Sequence, residues 1–157
     1  MAKENRNEDE GLALQEQTKC VIVVAEGLPL GPTVNIASVL ATTLGHRMRS
    51  LIGPEVMDAS GVSHPGFTTL PLPILMTEME TIKQVRMQAI SYDDMFVADF
   101  TESAQQAHTY DDYIRVLATH STDELVYLDI VLYGSKRTIN RLAGNLRLLR
   151  DTAVSTS

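Results

Sequence analysis

The sequence predicts a single α/β domain, a mixed and mostly parallel sheet flanked by helices. Three observations carry that expectation. Residues 18–45, TKCVIVVAEGLPLGPTVNIASVLATTLG, read as strand, turn and helix, the opening half of a βαβ unit. Residues 125–133, LVYLDIVLY, form a second long apolar run of strand character. Between and after them, strand patterns alternate with helical ones to the end of the chain. A strand that is apolar at consecutive positions, as at 20–24, is buried on both faces and belongs in the middle of a sheet.

Taken in order, residues 1–17 are polar and acidic and are expected to form a mobile tail. The first strand is placed at 19–25. Its helix is placed at 33–45, opening near Pro32, carrying Ile36, Val39, Leu40 and Leu44 inward, and stopping at Gly45. Residues 56–58 and 61–63 suggest a small hairpin. The next extended stretch, 66–75, holds Pro71 and Pro73, a pattern that fits an edge strand or one that leaves the sheet partway. Thr77 and Glu80 have the spacing of a capping box for a helix at 78–91, with Met79, Ile82, Val85 and Ala89 on one face. A strand at 95–100 leads to a helix at 109–119, capped by Ser103 or Thr109 and burying Tyr110, Tyr113, Ile114 and Leu117. The strand 125–133 ends at Gly134. A helix at 136–143 follows, and residues 145–149 alternate as a short edge strand. The domain therefore spans 18–150, with a C-terminal tail at 151–157.

The totals narrow the function classes. A chain of 157 residues with 44% hydrophobic content can bury a core of its own. The net charge of −7 argues against a broad nucleic-acid-binding face, so nucleic acid is not an expected partner. One basic segment stands out: Lys136, Arg137, Arg141, Arg147 and Arg150 lie in a stretch free of acids. No apolar run approaches the ~20 residues needed to cross a bilayer. The first residues lack the apolar segment of a secretory signal, and the single cysteine, Cys20, allows no internal disulfide. A cytoplasmic location away from membranes is the expectation. His46, His64, His108 and His120 show no paired ligand spacing, so no metal is expected. The loop after the first strand has Gly27 and Gly31 but no dinucleotide or phosphate-loop pattern, so no cofactor is expected.

Ligands of open α/β sheets collect beyond the carboxyl ends of the strands. Asp99 stands at the end of an apolar strand, where a carboxylate can act as a general base or cap the next helix. Ser103, four residues on, can share its hydrogen bonds, as a nucleophile or as a cap. Asn35 opens the helix after the first strand and reaches the same mouth if the strands at 19–25 and 95–100 are neighbours. His64 precedes a rigid Pro-Gly turn, and His108 is close enough in sequence to approach Asp99. Asp99 and Ser103 are thus the catalytic candidates, and Asn35, His64 and His108 the ligand-binding ones. Asp129, in the middle of a strand, needs a partner, for which Lys19 or Arg147 is the expectation.

Two segments resemble a known family. Residues 133–149, YGSKRTINRLAGNLRLL, are similar to the ending of type II peptidyl-tRNA hydrolases, and CVIVVAEGLPLG at 20–31 to their first strand and loop. The closer likeness is to an uncharacterised bacterial family grouped with those hydrolases on fold. Its signature resembles His64-Pro65-Gly66-Phe67-Thr68-Thr69-Leu70-Pro71. The resemblance covers about 18–150. It implies the hydrolase-like fold, a homodimer, and an Asp with a hydroxyl four residues later, matched here by Asp99 and Ser103. It also implies a basic loop after the first strand, with a Lys that serves catalysis. The loop at 28–33 has neither Lys nor Arg. The function expected is therefore a small-molecule-binding domain or enzyme, possible hydrolase chemistry included. Peptidyl-tRNA hydrolysis and a non-catalytic dimeric interaction module are the alternatives.

Overall fold

The computed structural model describes residues 17–150. The expected tails, 1–17 and 151–157, lie outside them apart from Gln17. A five-stranded sheet has β1 (Thr18–Ala25) at its centre. On one side of β1 lie β6 (Tyr127–Ser135) and then β5 (Phe96–Thr101); on the other lie β4 (Ile74–Thr77) and β7 (Arg147–Leu148). Only the β1–β4 pairing is parallel, and the other three in this sheet are antiparallel. The sheet is mixed as expected, but it is not mostly parallel. The long apolar run at 127–135 enters beside β1 in the opposite sense and separates β1 from β5.

Helix α1 (Leu30–Arg47) covers one face, and α2 (Met79–Ala89) with α5 (Lys136–Ala143) covers the other. This explains the consecutive apolar residues of β1. Val21, Val23 and Ala25 pack toward α2 and α5, whereas Cys20, Ile22 and Val24 pack toward α1. All six are at most 4% exposed. The Cys20 thiol donates to the Pro71 carbonyl at 3.3 Å, and burial pushes its pKa up, away from the reactive thiolate.

Several local expectations change. Helix α1 runs from Leu30 straight through Gly45 to Arg47, because nothing in its packing requires a stop at that glycine. Pro71 and Pro73 lie before β4, which is an inner strand between β1 and β7; Pro73 contributes only its carbonyl, accepting from the Ile22 amide at 3.0 Å. Helix α2 is capped by the backbone of Glu78 with no side-chain bond, so the Thr77–Glu80 box does not form. Thr77 is instead committed to β4, where it pairs with Ala25. Thr101, not Ser103, caps the short α3 (Glu102–Gln106), and Thr109 caps α4 (Tyr110–Leu117). The stripe expected to be buried on α4 is not: none of its residues is buried, and Tyr110 is 75% exposed. Helix α4 packs chiefly on the short α3 and not on the sheet, which leaves its stripe without a cover.

The hairpin forms as β2 (Val56–Met57) and β3 (Ser63–His64), a two-stranded sheet of its own. Behind it, the chain at 64–71 folds back on the 3-10 turn Arg49–Leu51. The Gly53 amide donates to Phe67 at 3.0 Å and the Thr69 amide to Leu51 at 2.7 Å. Here the Gly66 in the His-Pro-Gly segment has a physical reason. A Cβ on it would stand 1.9 Å from the Gly53 carbonyl oxygen, which is backbone and cannot turn away. Gly66→Ala is expected to lower stability by about 1–3 kcal/mol through that clash. Gly31→Ala, with nothing within 4 Å in the first turn of α1, should be neutral or stabilise by up to about 1 kcal/mol. Urea titration of the two variants checks the contrast, and equal midpoints would refute it.

Candidate functional site

The carboxyl ends of β1, β4 and β5 share one edge of the sheet, since β5 and β1 both run against β6. Near that edge two grooves adjoin, between α1 and the segment 98–113. One, about 490 Å³, is lined by Gly31, Pro32, Asn35, Ile36 and Gln105. The other, about 480 Å³, is lined by Val39, Leu40, Thr43, His108, Tyr110 and Tyr113, with Asp99 on its border. Phe100, Ala104 and Ala107 belong to both, so the two form one depression over a shared apolar floor.

The predicted residues divide. Asn35 and His108, both exposed, line this depression. Asn35 sits in the second turn of α1, because the helix starts at Leu30. Ser103 is half-buried inside α3 and lines neither groove. His64 stands on the separate hairpin, its Nε2 3.3 Å from Asp58 Oδ2 and more than half exposed. Amide donation from Val62 and the bond to His64 hold the Asp58 carboxyl below its ordinary range. The condition set for Asn35 and Asp99, that their strands be neighbours, is not met, because β6 lies between β1 and β5.

Asp99 is engaged in an ion pair. It pairs with Ile130, whose side chain packs toward α2, so the two residues point to the α2 face. There Arg86 Nε donates to Asp99 Oδ2 at 2.7 Å, with both side chains about one-fifth exposed. The guanidinium also lies 4.4 Å over the Tyr127 ring. Arg86 Nη1 and the Tyr127 hydroxyl are buried without a hydrogen-bond partner among the described residues. Burial is the first cause that raises the Tyr127 pKa. Arg86 was legible as a position: it lies four residues after Ile82, on the buried stripe of α2, where a cation requires a partner. The partner was not legible, because it comes from a strand that is distant along the sheet order. Tyr113 is the other residue missed. Burial, then the Asp99 charge, lifts its hydroxyl above the ordinary range, so it stays protonated.

Asp129 is wholly buried and has neither expected partner. Lys19 pairs with Gly134 at the far end of the strand and donates to Asn140 at 2.8 Å; Arg147 reaches Glu26 at 2.5 Å. Asp129 lies opposite Val24 and Phe100, both on the α1 face. Its Oδ1 accepts from the Ala25 amide at 3.3 Å, and Oδ2 has no partner among the described residues. Beside it the register slips by one residue between Phe100 and Thr101, which leaves Leu128 unpaired as a bulge.

Residues 18–150 match a family described as a protein of unknown function, DUF2000. The chain belongs to this family. A solved structure of a protein of unknown function from Agrobacterium tumefaciens shares the architecture, with a TM-score of 0.78 at 14% identity, over 85% of this chain and 98% of that one. At that identity the likeness speaks for fold alone. Comparison with curated proteins gives no match. No helix among the described residues is long and apolar enough to cross a membrane.

The carboxyl of Asp129 gives a pH test. Burial raises its pKa from 3.8 to about 7, against a smaller lowering by the Ala25 amide. The folded state therefore holds a proton that the unfolded state has released, and stability falls as pH rises from about 4 to about 7. Asp129→Asn keeps the acceptor for Ala25 and cannot ionise. A shift of about three pH units corresponds to ~4 kcal/mol, from which an unsatisfied amide subtracts ~1–3 kcal/mol. At pH 8 the variant should be more stable than the parent by on the order of 2 kcal/mol, with the advantage shrinking toward pH 5. Denaturation at pH 5, 6.5 and 8 reads this directly, and a pH-independent difference would contradict it.

Proposed function

We propose that this DUF2000 member is a small-molecule-binding domain, its ligand seated between α1 and the segment 98–113. One observation carries the reading: two grooves of about 480 and 490 Å³ merge over Phe100, Ala104 and Ala107. A few polar groups, Asn35, Gln105 and His108, converge on that apolar floor, the composition that ligand sites share. The place is the one where open α/β sheets bind ligands. In this reading Asn35 and His108 touch the ligand. Asp99 acts by holding Arg86 and shaping the outer strand, while Ser103 and His64 stand apart from the contact surface. The relation to the type II peptidyl-tRNA hydrolase fold is part of the proposal, supported by the segments 20–31 and 133–149 and by the Asp99–Ser103 spacing. Peptidyl-tRNA hydrolysis is not favoured. The loop at 28–33 offers no cation, and Asp99 already has one partner in Arg86. A cytoplasmic location without cofactor or metal belongs to the same reading.

A fragment screen observed by amide NMR tests it. Shifts should centre on Phe100, Ala104 and Ala107, and Asn35→Ala and His108→Ala should each weaken the best binder by about 3–10-fold, the loss of one hydrogen bond. Asp99→Asn removes the charge that compensates the largely buried Arg86 and should cost about 1–3 kcal/mol of stability. Shifts confined to surfaces away from α1 and 98–113 would overturn the reading.

A homodimeric interaction module is the second reading, favoured by the unburied stripe of α4. Ile114 is 52% and Tyr110 75% exposed, on a helix patterned to bury them. Light scattering should then give twice the monomer mass, and Ile114→Glu should return it to monomer. A monomer at every accessible concentration removes this reading.

A further inference from the structure

The walls of the merged groove carry a charge pattern that selects among ligands. Among the described residues, no Lys or Arg lines either half of it. Cations are plentiful elsewhere: Lys136 and Arg137 line a different groove, about 710 Å³, at the start of α5. In the groove beside α1, Tyr110 and Tyr113 stand edge to face, with ring centroids 5.6 Å apart. Both line its outer half, with Asp99 on the border. Ring faces are electron-rich and attract cations. An anion entering here meets two such rings, with no cation among the described lining residues to offset them. The Asp99 carboxylate is turned to the α2 face and paired with Arg86, so the discrimination rests on the rings.

From this we infer that the groove takes an apolar amine, an alkyl- or arylammonium whose carbon body lies on Phe100, Ala104 and Ala107 and whose charged head lies against Tyr110 and Tyr113. The inference rests on the groove reading above and adds the ligand class to it. The body supplies apolar burial, and the head supplies the charge that the rings recognise. Phosphorylated and carboxylated metabolites are excluded by the same pattern.

Three matched probes separate the possibilities: 2-phenylethylamine, 2-phenylethanol and 3-phenylpropanoate, titrated at pH 7.5 into the full chain, with affinity read from the amides of Phe100, Ala104 and Ala107. The amine should bind at least about five-fold tighter than the alcohol, and the carboxylate weakest of the three. Tyr110→Leu, at an exposed position that leaves the core untouched, should weaken the amine by about 2–5-fold and leave the alcohol within two-fold. Equal loss for amine and alcohol would show that the ring acts only as apolar surface and would overturn the cation assignment. So would a carboxylate that binds as well as the amine at these amides. Binding of the alcohol without amine preference overturns the ligand class but leaves the groove standing, whereas silence of these amides toward all three probes overturns both.

Discussion

Everything in this fold is arranged around a strand that cannot face water on either side. β1 has six consecutive residues at no more than 4% exposure, so both faces of the sheet need a helical layer. On one face α1 follows directly, and on the other α2 and α5 arrive from later in the chain. Burying a Val or Ile side chain contributes roughly 1.5–3 kcal/mol, so the alternate residues of β1 hold both layers to one another through the sheet. The depression lies where α1, having crossed the buried part of the sheet and the outer strand β5, faces the segment 98–113.

The outer strand shows how much of this can be read without coordinates. The central position of β1, the hairpin at 56–64 and the helix Lys136–Ala143 all follow from local patterns, and the structure agrees with each. Apolar alternation and capping chemistry are short-range, and so is the evidence for them. Strand order is not. Nothing in residues 95–101 says that β6 will come between them and β1, so the proximity assumed for Asn35 and Asp99 had no local support. The prolines at 71 and 73 were read for their missing amides and placed inside a strand, whereas the chain sets them just outside one.

Charged residues were hard to read for a related reason. Asp99 stands at the end of an apolar strand, Arg86 and Asp129 sit at positions that local pattern assigns to the interior, and each required a partner. Arg86 and Asp99 resolve the requirement mutually, with Tyr127 beneath the guanidinium. Breaking one member of such a pair leaves the other desolvated and uncompensated, which costs more than the pair contributes. Asp129 resolves it differently, by taking up a proton in the fold. Of the residues that line the depression, Asn35 and His108 were named from the sequence. Tyr110 and Tyr113 were legible as a stripe but were assigned to the core, since amphipathic spacing says which residues share a face and not what that face meets.

The two walls of the depression are built differently. Helix α1 is anchored by Ile36, Ala37, Leu40 and Leu44, all buried, while neither α3 nor α4 has a buried residue. Segments with few buried apolar contacts open at a fraction of the global unfolding free energy. The α1 wall is therefore held by its core contacts, and the α3–α4 wall is the side expected to open at lower cost. In the reading proposed above, a ligand would spend part of its binding energy on ordering that side.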